Sequence, residues 1–295
     1  MIVKIQWWLG NQMFQYALAQ YLAQRDWVQS QLDVSYFDRN VTAVKRKFEL
    51  ANVFDINEPY SLVSQSPWRS RPTDSKLMFI TQVVSKKIAS KLSSHYYLEP
   101  WMCFDTKVQS ISQDTFVEWF FQSPKYFDTI QSTIRSVYQF DINKLNSQSL
   151  QLKQQIENNN HTSVFIHIRR TDYITDTRTN SIHGTCDLDY YHRAISLLSD
   201  KVQNPHYFVF SDDIQRVKDH LPLDNATYVD HNSWLDAWQD MALMSYCDHG
   251  VIANSTFSWW WAWLIDNPDK KIVAPLNWYN NKNIVDIYPQ EWLVI

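Results

Sequence analysis

The sequence predicts an α/β fold built on parallel sheets, and three observations carry that reading. Short apolar runs of strand type alternate with stretches of helical period, most clearly in the second half of the chain. Polar and charged residues follow those runs, where a parallel sheet would present its carboxyl ends. With 295 residues, 45% hydrophobic and 20% charged, the chain is globular and long enough for two domains.

The elements follow in order. Ile2, Val3 and Ile5 form a short strand, Leu9-Gly10-Asn11 a turn, and Phe14, Ala17, Leu18, Tyr21 and Leu22 recur at helical spacing through Gln24. Residues 30–100 show little pattern. Ser61 to Lys76 is polar with two prolines, and Gln82 to Ser94 reads as a basic helix carrying Lys86, Lys87 and Lys91. A solvated helix face is preferred there over contact with an anionic membrane surface. Asn143 to His161 is rich in Gln and Asn, a surface helix and loop that divides a domain at 1–155 from one at 156–295. Beyond it, strands are expected at Ser163 to Ile168, His206 to Phe210, Val251 to Ala253 and Lys271 to Pro275. Helices are expected at Tyr190 to Leu198, Ile214 to His220, Leu235 to Tyr246 and Thr256 to Ile265. This alternation implies right-handed crossovers and ligands at the carboxyl ends of the strands.

Composition excludes several classes. Only 3 glycines occur (Gly10, Gly184 and Gly250), where average usage of about 7% would give about 20. Neither G-x-G-x-x-G nor G-x-x-x-x-G-K-[ST] exists, so any phosphate must be held another way. The 14 tryptophans, 16 tyrosines and 15 phenylalanines suit a large core or a carbohydrate-stacking surface. A net charge of -4 gives no reason to expect nucleic acid. Cys103, Cys186 and Cys247 fit neither a disulfide framework nor a zinc site and suit a reducing compartment. No secretory signal is visible at Met1 to Gln6. Gly250 to Ile265, uncharged but interrupted by polar residues, is shorter than the about 20 apolar residues of a bilayer span. The chain reads as a soluble cytoplasmic protein, with peripheral contact at the inner membrane as the alternative.

Chemistry concentrates at three strand ends. In His167-Ile168-Arg169-Arg170-Thr171-Asp172-Tyr173, paired arginines match the geometry of a dense anion such as phosphate. An Arg–Asp172 pair pinning the loop is the structural alternative, and the pattern leaves both open. In Ser211-Asp212-Asp213, Ser211 or Asp212 as a helix N-cap is preferred to a direct role. Asn254-Ser255-Thr256-Phe257-Ser258 opens a helix with hydroxyl residues, and a helix N-terminus binds phosphate without a glycine loop; a plain cap is again the alternative. Trp259, Trp260, Trp261 and Trp263 point in several directions around that helix, so at least one is expected outside the core. Asp187-Leu188-Asp189 has the spelling of a diphosphate–metal motif, but Asp189 as the cap of the helix at Tyr190 is preferred. No Gly-x-Ser-x-Gly elbow and no H-E-x-x-H spacing occur.

Taken together, these segments resemble the bacterial α-1,2-fucosyltransferases of glycosyltransferase family 11. The matching residues are Leu9 to Ala17, Phe120-Phe121-Gln122-Ser123 with Tyr126-Phe127, His167 to Tyr173, Ser211-Asp212-Asp213, Asp240-Met241 and Ala253 to Trp260. The resemblance implies two Rossmann-like domains of the GT-B type, parallel sheets flanked by helices, and the donor in the inter-domain cleft. The 1–155 domain would then face the acceptor and the 156–295 domain bind GDP-fucose. It further implies GDP-fucose as donor, no metal or other cofactor, inversion at the fucose carbon, and a β-galactoside glycan accepting through its 2-hydroxyl. Arg169 and Arg170 would lie near the diphosphate, His167 near the nucleotide, Asp240 at the guanine edge and Ser255, Thr256, Phe257 and Ser258 at the phosphates. Asn254, Gly10, Asn11 and Gln12 join the donor-binding set. Asp172 is the first candidate to take the acceptor proton and Asp176 the next. Where the family has two glycines before Leu-Gly-Asn-Gln, this chain has Trp7 and Trp8. Rival readings are a metal-dependent transferase using Asp187 and Asp189, another fucosyl linkage such as α-1,6, and a non-catalytic glycan-binding protein.

Overall fold

The computed structural model describes residues 1–38, 47–54, 56, 60–63, 76–100, 103–158, 160–169, 184–233, 236–280 and 286–295, with side chains from residue 81 onward in the fifth of these segments. The chain forms two compact units that divide between Gln139 and Phe140, with Asp286 and Ile287 belonging to the first.

The first unit holds a five-stranded sheet in the order β3-β2-β1-β5-β4. Its strands are β1 (Ile2–Lys4), β2 (Ser30–Asp33), β3 (Tyr60–Val63), β4 (Tyr96–Leu98) and β5 (Phe116–Glu118). Every pairing is parallel. Helix α1 (Leu9–Asp26) connects β1 to β2 and is buried along most of its length, which explains its weak amphipathic pattern. The turn expected at Leu9-Gly10-Asn11 is already helix. The chain turns one step earlier, at Trp7, whose φ of 73° lies in the left-handed region, and Trp8 is the N-cap. Helices α2 (Leu50–Val53), α3 (Lys76–Leu92) and α4 (Gln131–Val137) complete the unit among the described residues.

The interior of this sheet carries charge. Glu118 on β5, 3% exposed, accepts from Lys4 on β1 at 2.6 Å and from Lys86 on α3 at 2.5 Å. Its second oxygen accepts from the Tyr96 hydroxyl on β4 at 2.7 Å. Burial alone would raise the Glu118 carboxyl, but the two ammonium groups outweigh it and hold it below the usual range. Burial pushes Lys86 down to about 8, against the pull of Glu118. The network thus fastens α3 and three strands to one carboxylate.

The second unit holds a six-stranded sheet in the order β11-β10-β9-β6-β7-β8. Its strands are β6 (Thr162–Ile168), β7 (Pro205–Ser211), β8 (Ala226–Val229), β9 (His249–Val251), β10 (Ile272–Ala274) and β11 (Leu293–Val294). All pairings are again parallel. The helices are α5 (Ser147–Ile156), α6 (Leu188–Ser199), α7 (Ile214–His220), α8 (Ala237–Ser245) and α9 (Thr256–Leu264). The expected boundary near residue 155 moves to Gln139, because α5 packs on α8. Asn146, its N-cap, donates to Asn232 at 2.9 Å and through its backbone N–H to Gln239 at 2.8 Å.

One tryptophan expectation is overturned. Trp259, Trp260, Trp261 and Trp263 are all buried, none outside the core. The rings pack on one another and on Trp292 (5.5 Å from Trp259) and Phe140 (5.2 Å from Trp261), so α9 is covered on every side, as an all-apolar helix must be. Lys270 donates to the carbonyls of Trp263 and Ile265 and closes the helix C-terminus.

Glu118→Gln keeps the shape but leaves one buried and one half-buried ammonium group without its carboxylate. We expect it to lower the unfolding free energy by about 3–5 kcal/mol, read from urea midpoints at neutral pH. An unchanged midpoint would show that the lysines find other partners.

Candidate active site

The second sheet has a switch point. From β6 the chain runs outward through β7 to β8, then returns to β9 on the other side of β6. The loops after β6 and β9 therefore diverge from adjacent carboxyl ends, the place where open parallel sheets bind ligands. Pairing is tight here because Gly250 lies under the Phe165 ring; a Cβ on Gly250 would stand 2.2 Å from a ring carbon.

His167, in the last turn of the β6 ladder, is buried, and its ring stacks on Phe257 at 5.2 Å and 25°. Burial, reinforced by the Arg169 charge, pushes its pKa down to about 3, so the imidazole is neutral at physiological pH. The Tyr191 hydroxyl donates to the His167 carbonyl at 3.2 Å and fixes the strand end. Its Nδ1 has no hydrogen-bond partner among the described residues. An unmet buried nitrogen costs about 1–3 kcal/mol, which a ligand contact would recover.

Arg169 follows the strand, and its Nη1 lies 3.5 Å from the Ser255 hydroxyl. Ser255 is the N-cap of α9 and accepts from the Phe257 N–H at 3.3 Å. A guanidinium and the positive end of a helix thus converge on one spot. Thr256 and Phe257 sit in the half-buried first turn. Ser258 turns inward and donates to the carbonyls of Ala253 and Ser255. Asn254 braces the rim, donating to the carbonyls of Gly184 (3.3 Å) and Trp278 (3.4 Å) and accepting from the Cys186 thiol. Arg170, Asp172 and Asp176 lie outside the described residues.

Asp240, in the first turn of α8, belongs to a polar cluster that sequence reading missed. Asn232 donates to Asp240 Oδ1 at 2.6 Å and to Ser149 Oγ at 3.2 Å, while the Asn146 amide donates to Asn232. Burial raises the Asp240 pKa to about 6, although the Asn232 bond favours the charged form. Asn232 follows the unforeseen edge strand β8, and an isolated loop Asn carries no periodic signal.

The two remaining motif expectations resolve as local structure. Ser211 ends β7 and accepts from the Asp213 N–H at 3.1 Å; neither it nor Asp212 is the cap of α7, where Asp213 occupies that position. Asp187, not Asp189, caps α6, accepting from Tyr190 N–H at 2.8 Å.

The first unit has its own switch point, between β1 and β5. Trp7 (φ 73°), Trp119 (φ 136°) and Phe121 (φ 54°) all adopt left-handed backbone there. The Trp7 ring lies 5.8 Å from Tyr36 and 6.0 Å from Phe120, forming a half-buried aromatic wall. The Leu9–Ala17 motif braces these loops. Gln12 is fully buried, donates to the carbonyls of Trp7 and Lys47 and accepts from Glu49 N–H. Gln15 accepts from Gln6 N–H and donates to the Trp119 carbonyl. Asn11 accepts from Gln122 at 2.6 Å. Gly10 sits in the first turn of α1. Gln12 and Gln15 thus hold backbone in this unit, Asn11 holds the Gln122 side chain, and Trp7 occupies a backbone conformation that favours glycine.

Comparison with known proteins agrees with this architecture. The family model "Glycosyl transferase family 11" matches residues 1–295. The chain belongs to glycosyltransferase family 11. It is 33% identical over 301 residues to the O-antigen biosynthesis glycosyltransferase WbnK of Escherichia coli, covering 97% of each chain. It is 34% identical over 184 residues to an E. coli alpha-1,2-colitosyltransferase, covering 60% of this chain and 61% of that one. Among solved structures, NodZ alpha-1,6-fucosyltransferase from Bradyrhizobium, soaked with GDP-fucose, aligns with a TM-score of 0.51 at 14% identity, covering 90% of this chain and 91% of that one. That likeness places the family 11 chain in the GT-B fold, with two parallel sheets flanked by helices.

Gly250→Ala forces β9 away from β6 in this glycosyltransferase. We expect about 1–3 kcal/mol lower stability in urea melts, the cost of overpacking a close contact. A wild-type midpoint would mean that Phe165 moves aside freely.

Proposed function

We propose that the protein transfers L-fucose from GDP-fucose to the 2-hydroxyl of a terminal β-galactoside, with inversion and without a metal ion, in the synthesis of a bacterial surface glycan. The observation that carries this is the convergence of Arg169 with the Ser255 N-cap of α9 at the switch point. GDP departs with growing negative charge, and a guanidinium beside a helix N-terminus stabilises that charge with no ion needed. Arg170, by its place in the motif, adds a second guanidinium. The neutral His167 offers its unpaired Nδ1 to the nucleotide, and Asp240 accepts from the N–H groups of the guanine edge, oriented by Asn232.

The acceptor hydroxyl attacks the fucose carbon from the face opposite GDP and passes its proton to a carboxylate. Asp172 is proposed for that role, with Asp176 second. The aromatic wall of Trp7, Tyr36 and Phe120 suits the apolar face of a pyranose. The likeness to a colitosyltransferase supports a second donor reading, in which a GDP-linked colitose replaces fucose.

Purified protein with GDP-fucose and lactose, assayed with EDTA present, tests the proposal. We expect an α-1,2-fucosylated product by NMR, and about 10²–10³-fold slower turnover for Arg169→Ala or Arg170→Ala. Turnover with the colitose donor alone would select the second reading, and loss of activity in EDTA would overturn metal independence.

The pH dependence follows from Asp240. Guanine donors favour the charged carboxylate, so nucleotide binding releases a proton below about pH 6. GDP affinity should therefore rise with pH up to about 6 and stay flat above it, and Asp240→Asn should remove the rise. Calorimetry across pH 5–8 checks this, and a flat wild-type profile would contradict the role.

A further inference from the structure

Helix α3 leaves a row of aliphatic side chains exposed. Its inward face carries Lys86, anchored on the buried Glu118. Its outward face carries Val84, Ile88 and Leu92, one per turn, 49%, 52% and 82% exposed. Lys87 and Lys91 lie on the same exposed side, and neither ammonium pairs with a carboxylate among the described residues. No acidic residue occurs from Lys76 to Leu92, although the whole chain carries a net charge of -4. The less exposed side holds Val83 and Ala89 beside Lys86, so the row of Val84, Ile88 and Leu92 is left without a core to bury it.

We propose that the outward face of α3 docks on an anionic lipid bilayer, lying in the interface plane with Val84, Ile88 and Leu92 inserted and Lys87 and Lys91 among the headgroups. Charge selects this occupant. A regular row of aliphatic side chains whose charged neighbours on the helix are all lysines matches a surface that is apolar beneath and negative above. A second copy of the same face would set lysine against lysine. The contact is peripheral, since no described helix is long and apolar enough to cross a membrane. The proposal takes the membrane alternative over the solvated face for this helix, because the lysine run alone does not show which side Lys86 takes. The inference is independent of the proposed donor and acceptor.

Co-sedimentation of the full chain with vesicles tests it, using phosphatidylcholine alone against an equimolar mixture with phosphatidylglycerol, at low and high salt. We expect binding to the anionic vesicles that salt weakens, and little to the neutral ones. Ile88→Glu with Leu92→Glu should reduce binding at least about tenfold, and Lys87→Glu with Lys91→Glu about tenfold. Circular dichroism melts should match wild type for both, because these side chains face outward. Equal binding by the wild type and the Ile88/Leu92 variant, or no binding by the wild type, overturns the proposal. So does a wild-type dimer in sedimentation velocity that the Ile88/Leu92 variant dissolves, since a second copy would then cover the face.

Discussion

The close pairing of β6 with β9 is the constraint on which the rest of the second unit depends. These strands are neighbours in the sheet but far apart in sequence, so the loops after them start side by side and turn apart. Gly250 makes the pairing possible by leaving room for the Phe165 ring. From that one contact come the approach of Arg169 to Ser255, the stacking of His167 on Phe257 and the placing of α9 with its N-terminus at the strand ends. A chain with 3 glycines places one of them here, and the pairing brings a guanidinium to a capped helix N-terminus, a combination that suits an anion.

The first unit solves a different problem with similar means. Its strands are short, and the sheet is held by a charge network in which one carboxylate serves two lysines and a tyrosine. Its switch point carries bulky aromatic residues in backbone conformations that glycine usually fills, held by the buried amides of Gln12 and Gln15. Strain of this kind persists only where the surroundings over-determine it, and it collects at functional sites. The same charge network orients α3 and so decides which of its faces meets solvent.

Legibility in the sequence followed the hydrophobic pattern. The strand at Thr162–Ile168 and the hydroxyl-rich start of α9 could be read, because a strand buried on both faces is a continuous apolar run and a Ser cap has a local signature. The strands β4 and β5 could not, since β4 lies in a stretch of little pattern and Glu118 breaks the apolar run of β5. Edge strand β8 is half-buried and its Ala-Thr-Tyr-Val run is not a continuous apolar one, so it was missed, and with it the Asn232 cluster that orients Asp240. The tryptophans of α9 misled in the other direction: radial projection implied an exposed ring, but residues distant in sequence, Phe140 and Trp292, close over the helix. The first-unit motif was legible as a motif, while the bracing work of its amides depends on partners up to 111 positions away.

A double-mutant cycle on GDP affinity tests the central claim most directly. Calorimetry on wild type, Arg169→Ala, Ser255→Ala and the double variant asks whether the strand-end guanidinium and the helix cap act as one anion site. The account predicts that each single change weakens GDP binding and that the double variant loses less than the sum, with a coupling of about 0.5–3 kcal/mol. Wild-type affinity in Arg169→Ala, or strict additivity between the two positions, would contradict it.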